Sequence, residues 1–135
     1  MTDQIYQERI VALAKARTGA GKLEKPTKSA RRDNPLCGDR VTIDVRMNGD
    51  GKIAEIAHQV RGCLLCQASA SALAATAIGK DSTGIAELRH DAERALGREP
   101  GDAGEPFSAF APVAAHKSRQ ECVLLPFEAL KDALS

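Results

Sequence analysis

The sequence predicts an α+β fold in which a small antiparallel sheet is combined with helices. Residues 41–47 alternate between apolar and polar side chains, with the period of two that is typical of a half-buried strand. The sequence Asn-Gly-Asp-Gly at 48–51 follows directly and is a strong hairpin signal. Residues 63–78 are rich in Ala, Ser and Leu, which favours a close-packed helix. Strand, hairpin turn and helix within 40 residues therefore indicate a mixed fold.

The N-terminal half can be assigned in order. Residues 5–16 carry apolar side chains at helical spacing, and Gly19 and Gly21 follow as stop signals. Residues 22–33 are predicted to form a loop with room for one short edge strand. A second strand is expected over residues 52–60, so that it pairs with residues 41–47 through the hairpin.

The C-terminal half is predicted to be helical. Gly79 ends the Ala-rich helix, Asp81 or Ser82 caps the next one, and Gly97 ends that helix in turn. Residues 97–106 form an exposed loop in this prediction, and residues 107–115 a short helix. The last helix runs to Leu134. Because proline is tolerated in a first helical turn, Pro126 is expected there, which places Cys122 just before or at the helix start.

Composition limits the class of protein. A length of 135 residues predicts one domain over residues 1–135, and a hydrophobic content of 43% excludes a disordered chain. With 19 Lys and Arg against 18 Asp and Glu, the net charge of +1 provides no basic footprint for nucleic acid. The run 22–32 is basic but lacks aromatic residues, so a solvated loop is favoured, and docking of an acidic protein partner stays open.

The location of the protein bears on its cysteines. The N-terminal residues have no apolar signal region, and no run reaches the roughly 20 apolar residues of a membrane span. We therefore expect a cytoplasmic protein without membrane contact. Disulfides are disfavoured in that compartment, so the four cysteines indicate metal or thiol chemistry.

Three of these cysteines and one aspartate lie at the ends of predicted elements. Cys37 and Asp39 precede the first strand of the hairpin, Cys63 follows the second strand, and Cys122 lies near the last helix. An antiparallel hairpin brings the segments of Cys37 and Cys63 out at its open end. Cys63 also opens a helix, whose N-terminus stabilises a thiolate. Three thiolates and a carboxylate can form a tetrahedral zinc site or ligate an iron–sulfur cluster.

The remaining candidates have weaker signals. Cys66 completes a CxxC motif with Cys63, and packing, a further ligand and a resolving thiol are all open interpretations. A thioredoxin-like oxidoreductase is disfavoured, since the chain has no Trp and no parallel βαβ pattern. Glu121, next to Cys122, is an accessory candidate or an exposed acid. His58 is expected to be a core or edge histidine, and His116 is a minor candidate.

The motifs in combination resemble the IscU/NifU-type iron–sulfur cluster assembly proteins. They are Asn-Pro-x-Cys-Gly-Asp at 34–39, Gly-Cys at 62–63, and the Cys ahead of the final Ala/Leu helix. The resemblance implies an IscU/SufU-like sandwich in which helices cover about three antiparallel strands. It implies that iron or a [2Fe–2S] cluster is bound by four residues: Cys37, Asp39, Cys63 and Cys122. It also implies a pyridoxal-phosphate-dependent cysteine desulfurase as sulfur donor and apo-proteins or carrier proteins as recipients.

Two departures point toward the SufU-like branch of that family. Glu121 occupies the position at which scaffold-type members have His, and the separation between Cys63 and Cys122 is longer, with extra length around residues 97–106. SufU-like members bind Zn²⁺ and accept persulfide sulfur, and in that branch Cys37 is the sulfur acceptor. Cys66, as a fourth thiol, favours cluster binding instead. A cluster scaffold, placed first, and a zinc-dependent sulfurtransferase both stay open, and with them whether the protein is an enzyme.

Overall fold

A computed structural model of the chain describes residues 2–35 and 38–135, with side chains described from residue 8 onward within those ranges. The described elements follow in chain order: α1 (Thr2–Ala16), β1 (Lys28–Asn34), β2 (Asp39–Met47), β3 (Ile53–Arg61), α2 (Leu64–Ala77), α3 (Ser82–Ala95), a 3₁₀-helix (Phe107–Ala115) and α4 (Lys117–Leu134).

The described strands form an antiparallel sheet in the order β1-β2-β3, which confirms the predicted α+β class and the hairpin. Pairing of β2 with β3 begins at Arg40 opposite Arg61, so the start of β2 lies beside the end of β3. The turn between them is closed by Asn48, whose backbone N–H donates to the Lys52 carbonyl over 2.9 Å. The open end of this hairpin therefore carries Asp39 on one strand and the residues after Arg61 on the other.

The edge strand β1 is longer than the sequence predicts. It has seven residues and pairs with β2 from Lys28 opposite Val45 to Asn34 opposite Asp39. Most of its side chains are exposed, and its sequence does not alternate between apolar and polar residues. For that reason the sequence predicts mainly a basic loop here. Backbone pairing with β2 supplies what the side-chain pattern does not show.

Helices cover the sheet and enclose the core. α4 packs on β1 and β2, α2 packs on β3 and α4, and α1 packs on α2. The β2 side chains Val41, Ile43 and Val45 are at most 1% exposed, and they meet these helices. The small side chains of α2 let neighbouring helices approach closely, as the Ala-rich sequence predicts.

The start of α4 corrects the sequence prediction. The helix begins at Lys117, so Pro126 lies in its interior and Cys122 in its second turn, and not just before or at the helix start. Pro126 has no N–H to donate to the carbonyl four residues earlier, that of Cys122. Burial of the surrounding side chains, with Phe127 and Leu130 at most 1% exposed, offsets this loss and keeps the helix continuous.

Within the described residues no helix has both the length and the apolar character that crossing a bilayer requires.

Candidate metal and sulfur site

Asp39, Cys63 and Cys122 meet at the open end of the hairpin. Their ligand atoms, one carboxylate oxygen and two sulfurs, all lie within 4.8 Å of one another. The three residues come from β2, from the residue preceding α2, and from α4, so elements distant in sequence form one site. Cys37, the predicted sulfur acceptor, lies outside the described residues.

Asp39 is the most constrained of the three side chains. It is the first residue of β2 and only 4% exposed. Its Oδ1 accepts a hydrogen bond from the backbone N–H of Cys63 over 3.1 Å, and its Oδ2 accepts from the Cys63 thiol over 3.6 Å. A side chain at Gly62 would begin 2.6 Å from Asp39 Oδ1, so the absence of one leaves room for the carboxylate. The position of the Asp39 side chain thus depends on both residues of the Gly-Cys pair: Gly62 leaves space for the carboxylate, and Cys63 donates hydrogen bonds to it.

Cys63 caps the N-terminus of α2, as the sequence predicts. Its backbone is extended (φ −71°, ψ 169°), and its carbonyl accepts the helix bond from the Gln67 N–H over 3.1 Å. The residue is exposed to solvent. Its thiol lies at the N-terminus of α2 and contacts Asp39 Oδ2, so the sulfur is both open to solvent and part of the donor group. Cys63 is therefore an accessible sulfur ligand or nucleophile.

Cys122 approaches the site from the core side. It is 3% exposed and belongs to the hydrophobic core. Because it lies in the second turn of α4, its sulfur is positioned by packing and not by a helix N-terminus, contrary to our expectation. The hydroxyl of Ser69 in α2 donates to the carbonyl of Val123 over 2.5 Å and so ties the two cysteine-bearing helices together. Ser69 is not among the residues that the sequence singles out, and a small polar residue in a close-packed helix is the signal that could have found it.

The arrangement fits a metal ion. Zinc binds thiolate sulfur at about 2.3 Å, so two thiolates on one zinc lie roughly 3.8 Å apart. The donor atoms here need only small side-chain shifts to reach such distances, since they already lie within 4.8 Å. Two sulfurs and one carboxylate oxygen leave a tetrahedral ion one further position, and Cys37, two residues before Asp39 in sequence, stays the predicted donor for it.

The two accessory candidates lie apart from this group. Cys66 is completely buried in the core at the first turn of α2, and it is not a member of the described donor cluster. Glu121 points outward with its side chain 54% exposed, and it accepts a hydrogen bond from Arg98 over 3.0 Å. Glu121 therefore does not replace, as a described donor, the histidine that scaffold-type members carry at this position.

The histidines occupy three different settings. His58 is 6% exposed in β3, an edge strand of the sheet, and its Nε2 bonds the Thr18 carbonyl over 2.7 Å, which agrees with the prediction of a core or edge histidine. Burial lowers its pKa, and the charge of Arg17 adds to this effect. His116 is exposed ahead of α4 and outside the described donor group.

A second cluster, missed by sequence reasoning, surrounds His90 on the surface of α3. His90 Nδ1 lies 2.5 Å from Glu99 and 3.9 Å from Glu93. Desolvation raises the pKa of Glu93, whereas the hydrogen bond from His90 lowers that of Glu99. The three-residue spacing of His90 and Glu93 on one helix is a weak sequence signal of their contact. The contact of Glu99 with His90 depends on the path of the loop after α3, which the sequence does not show. Arg89 and Arg94 contact these carboxylates or their neighbours, so the cluster is a surface ion-pair network.

Comparison with known proteins identifies the family and its fold. The sequence model of the family described as NifU-like N terminal domain matches residues 5–132. This chain belongs to the NifU-like N-terminal domain family. The motifs at 34–39 and 62–63, which carry the resemblance, both lie within the matched residues. The helix-covered antiparallel sheet is the fold of this family's solved members.

Curated relatives of this NifU-like chain include two bacterial proteins. The bifunctional protein NifU/MnmA of Rubrobacter xylanophilus is 33% identical over 94% of the chain, which spans 28% of that protein's length. The iron–sulfur cluster assembly scaffold protein IscU of Thermotoga maritima is 29% identical over 96% of the chain and 92% of its own length. The chain thus spans about a quarter of one relative and nearly all of the other.

Solved structures agree with this assignment. The N-terminal part of a nitrogen-fixing NifU-like protein from Brucella abortus superposes with a TM-score of 0.87 at 32% identity, covering 98% of this chain and 94% of that one. A putative iron–sulfur cluster assembly scaffold protein for the SUF system from Fervidobacterium islandicum gives a TM-score of 0.86 at 29% identity, with both chains fully covered.

Proposed function

We propose that this NifU-like chain is a scaffold on which an iron–sulfur cluster is assembled and then passed on. Iron and a [2Fe–2S] cluster are its cargo, held by Cys63, Cys122, Asp39 and Cys37. The observation that carries the proposal is the meeting of one carboxylate oxygen and two sulfurs within 4.8 Å. Thiolate sulfur is the usual ligand of iron–sulfur clusters, and a carboxylate is a weaker ligand that can be exchanged on transfer.

The exposure of the site supports delivery of sulfur and release of cargo to other proteins. Cys63 is exposed, and the neighbouring Leu64 leaves 45% of its surface in solvent although it is apolar. We propose a pyridoxal-phosphate-dependent cysteine desulfurase as the sulfur donor, with Cys37 as the acceptor, and apo-proteins or carrier proteins as recipients. The relatives named as scaffolds support this choice of partners.

Glu121 favours a second candidate, a zinc-dependent sulfurtransferase. Its carboxylate is turned away from the donor group and held by Arg98, so the position before Cys122 offers no additional described ligand for a cluster iron. A zinc ion fits the donor set, and when bound it would hold the thiolates together until a partner docks. In this function the chain carries sulfur and holds no cluster.

Anaerobic reconstitution followed by native mass spectrometry separates the two functions. The chain is incubated with iron, cysteine and a cysteine desulfurase, and then weighed intact. A species that gains two irons and two sulfides, and that is lost in Cys63→Ser, supports the scaffold. A protein that keeps one zinc and gains only sulfur atoms on Cys37 supports the sulfurtransferase and refutes the scaffold.

Ligand variants test the shared site. Cys37→Ser, Cys63→Ser and Cys122→Ser should each weaken zinc binding by orders of magnitude, because one of four ligands is lost. Asp39→Ala should leave the fold intact and speed metal or cluster exchange. Cys66→Ser is the matched control and should have the mildest effect, since Cys66 lies outside the donor group. Unchanged zinc affinity in all three ligand cysteine variants would refute a common site.

A further inference from the structure

Cys66 is a buried thiol for which the proposed metal site has no role. It is 0% exposed, and the described donor group consists of Asp39, Cys63 and Cys122 without it. A buried cysteine can serve simply as a small apolar residue. Its position three residues after Cys63, however, also allows it to form a disulfide bond with Cys63.

The two cysteines stand one helical turn apart at the start of α2. Cys63 is the N-cap, and Cys66 is the third helical residue after it. Three residues rise about 4.5 Å along a helix, so the two lie on the same side of the first turn. Disulfide-bonded cysteines have Cα atoms roughly 4.4–6.8 Å apart, a separation that this spacing meets. A rotation of the Cys63 side chain away from Asp39 is the movement that bond formation requires.

Their exposure differs in the sense that a nucleophile and a resolving thiol require. Cys63 is exposed and can accept a sulfur atom from outside, whereas Cys66 is enclosed and can be reached only from within the chain. A CxxC pair at a helix start is a common arrangement for thiol exchange, because residues three apart on a helix are neighbours.

We propose that Cys66 is the resolving thiol of this site, which reduces a sulfane sulfur carried on Cys63 to sulfide and leaves a Cys63–Cys66 disulfide. This inference rests on the proposed function, since it takes for granted that the chain accepts sulfur. The sulfane sulfur reaches Cys63 from a donor or from Cys37, and the resolving step is the same in both cases.

The step balances within the chain. The Cys66 sulfur attacks the Cys63 sulfur of a Cys63–S–SH group, and a new bond joins the two cysteine sulfurs. The bond between Cys63 and the outer sulfur breaks, and that sulfur leaves as HS⁻ and takes up the thiol proton of Cys66. The outer sulfur gains two electrons, which the two cysteine sulfurs supply. A dithiol reductant then returns the disulfide to two thiols for another round. Sulfide is thereby released beside Asp39 and Cys122, where iron would be held.

Cys122 is the rival thiol, because its sulfur lies within 4.8 Å of the Cys63 sulfur. A Cys63–Cys122 disulfide would join α2 to α4 and use up two of the proposed metal ligands. The Cys63–Cys66 bond closes a short loop within one helical turn and leaves Cys122 as a thiol. Mapping of the disulfide distinguishes the two possibilities.

A single-turnover experiment with the full chain tests the proposal. EDTA-treated, desalted protein is loaded anaerobically with glutathione persulfide and desalted again, so that no outside thiol remains. Released sulfide is trapped with monobromobimane, and intact mass and disulfide-linked peptides are measured over time. In the wild-type chain we expect the species that is one sulfur heavier to convert into a species two hydrogens lighter than the reduced protein. One sulfide should be released per chain, and the peptide map should show a Cys63–Cys66 bond.

Variants decide the role of Cys66. Cys66→Ser and Cys66→Ala should keep the added sulfur and lose sulfide release, and circular dichroism melting establishes that at least one of them is folded. Ser71→Ala, a buried change in the same helix and outside the donor group, is the matched control and should still release sulfide. Release that is unchanged in a folded Cys66 variant, or a disulfide that joins Cys63 to Cys122, would overturn the proposal while sulfur acceptance stands. A wild-type chain that never gains sulfur would overturn both this inference and the sulfur-accepting part of the proposed function.

Discussion

At the scale of single residues, the site depends on side chains that are absent as well as on those that are present. Asp39 is held by the N–H and the thiol of Cys63, and the space for its carboxylate exists because residue 62 is glycine. A residue that orients a ligand commonly matters nearly as much as the ligand itself. Gly62 is therefore a positioning residue of the donor group.

Gly62→Ala should weaken metal binding without removing a ligand. The new Cβ would lie 2.6 Å from Asp39 Oδ1 and 2.7 Å from its Cγ, so the carboxylate must move. We expect zinc affinity to fall about 10–100-fold, the usual effect of disturbing a ligand's supporting contacts. Competition with a chromogenic chelator measures it. Gly49→Ala is the control, because a Cβ there meets nothing within 4 Å, and equal affinities of the two variants would contradict the role of Gly62.

His58 is a second residue whose surroundings have a measurable consequence. The Thr18 carbonyl can only accept, so His58 Nε2 carries the hydrogen, and its buried Nδ1 has no hydrogen-bond partner among the described residues. Protonation of Nδ1 would place an unpaired charge in the core. Burial therefore lowers the pKa of His58 below the ordinary value of 6.5.

The pH dependence of stability should reveal this histidine. Since its pKa is lower in the folded chain, the unfolded chain takes up the proton first, and the stabilisation is fully present above pH 6.5. The free energy of unfolding should therefore fall as the pH is lowered from about 7.5 to 5. His58→Gln, which keeps a donor for Thr18, should lack that component, as measured by urea unfolding. His116→Gln is the exposed control, and a parallel loss of the component there would refute the assignment to His58.

At the scale of elements, the loop after α3 determines how α4 begins. Arg98 donates through Nε to Gln120 Oε1 over 2.7 Å and through its guanidinium to Glu121. Gln120 is 5% exposed and donates in turn to the carbonyls of Leu96 and Ala114. The extra length between Cys63 and Cys122 is thus anchored to the helix that carries Cys122.

Arg98→Ala should destabilise the protein more than its exposed position suggests. It leaves the buried oxygen of Gln120 without its donor, which costs about 1–2 kcal/mol. Thermal and urea unfolding measure the change. Arg119→Ala, which changes an exposed arginine in the first turn of α4, is the matched control and should change stability by less than about 0.5 kcal/mol. Equal effects of the two variants would show that the Arg98 contacts carry no net stability.

At the scale of the whole molecule, the site connects three separate elements of the fold. Residues 39, 63 and 122 bring together the central strand, the start of α2 and the last helix, which are far apart along the chain. An ion bound there contacts the folded state at three elements and has no comparable site in the unfolded chain. Metal binding should therefore stabilise the entire fold.

Zinc should raise the melting temperature, and EDTA should reverse the rise. At about 100 times its dissociation constant a ligand stabilises the folded state by about 2.7 kcal/mol. For a chain of this size that corresponds to a shift of roughly 5–15 °C. The shift should vanish in Cys63→Ser and Cys122→Ser and persist in Cys66→Ser. Calorimetry measures it, and a shift retained in both ligand variants would place the zinc elsewhere.

The local pattern of the chain determined most of the elements. The alternation of residues 41–47, the turn at 48–51 and the cap at Asp81, whose side chain accepts from the Gly84 N–H over 2.9 Å, act between neighbours in sequence. For the same reason Cys63 was predicted correctly as the start of α2. The motifs at 34–39 and 62–63 also led to the right family, because they combine residues that rarely occur together without a common site.

Tertiary structure alone decided the rest. Proline in most helices lies in the first turn. Here burial of the residues around Pro126 outweighs the lost hydrogen bond, and α4 begins earlier, at Lys117. β1 is a strand through pairing with β2, which its exposed side chains do not reveal. The approach of Cys122 to Asp39 and Cys63 likewise follows from helix packing across more than 50 residues of chain. Local propensity acts over a few residues, whereas these features arise from contacts that form only when the core is assembled.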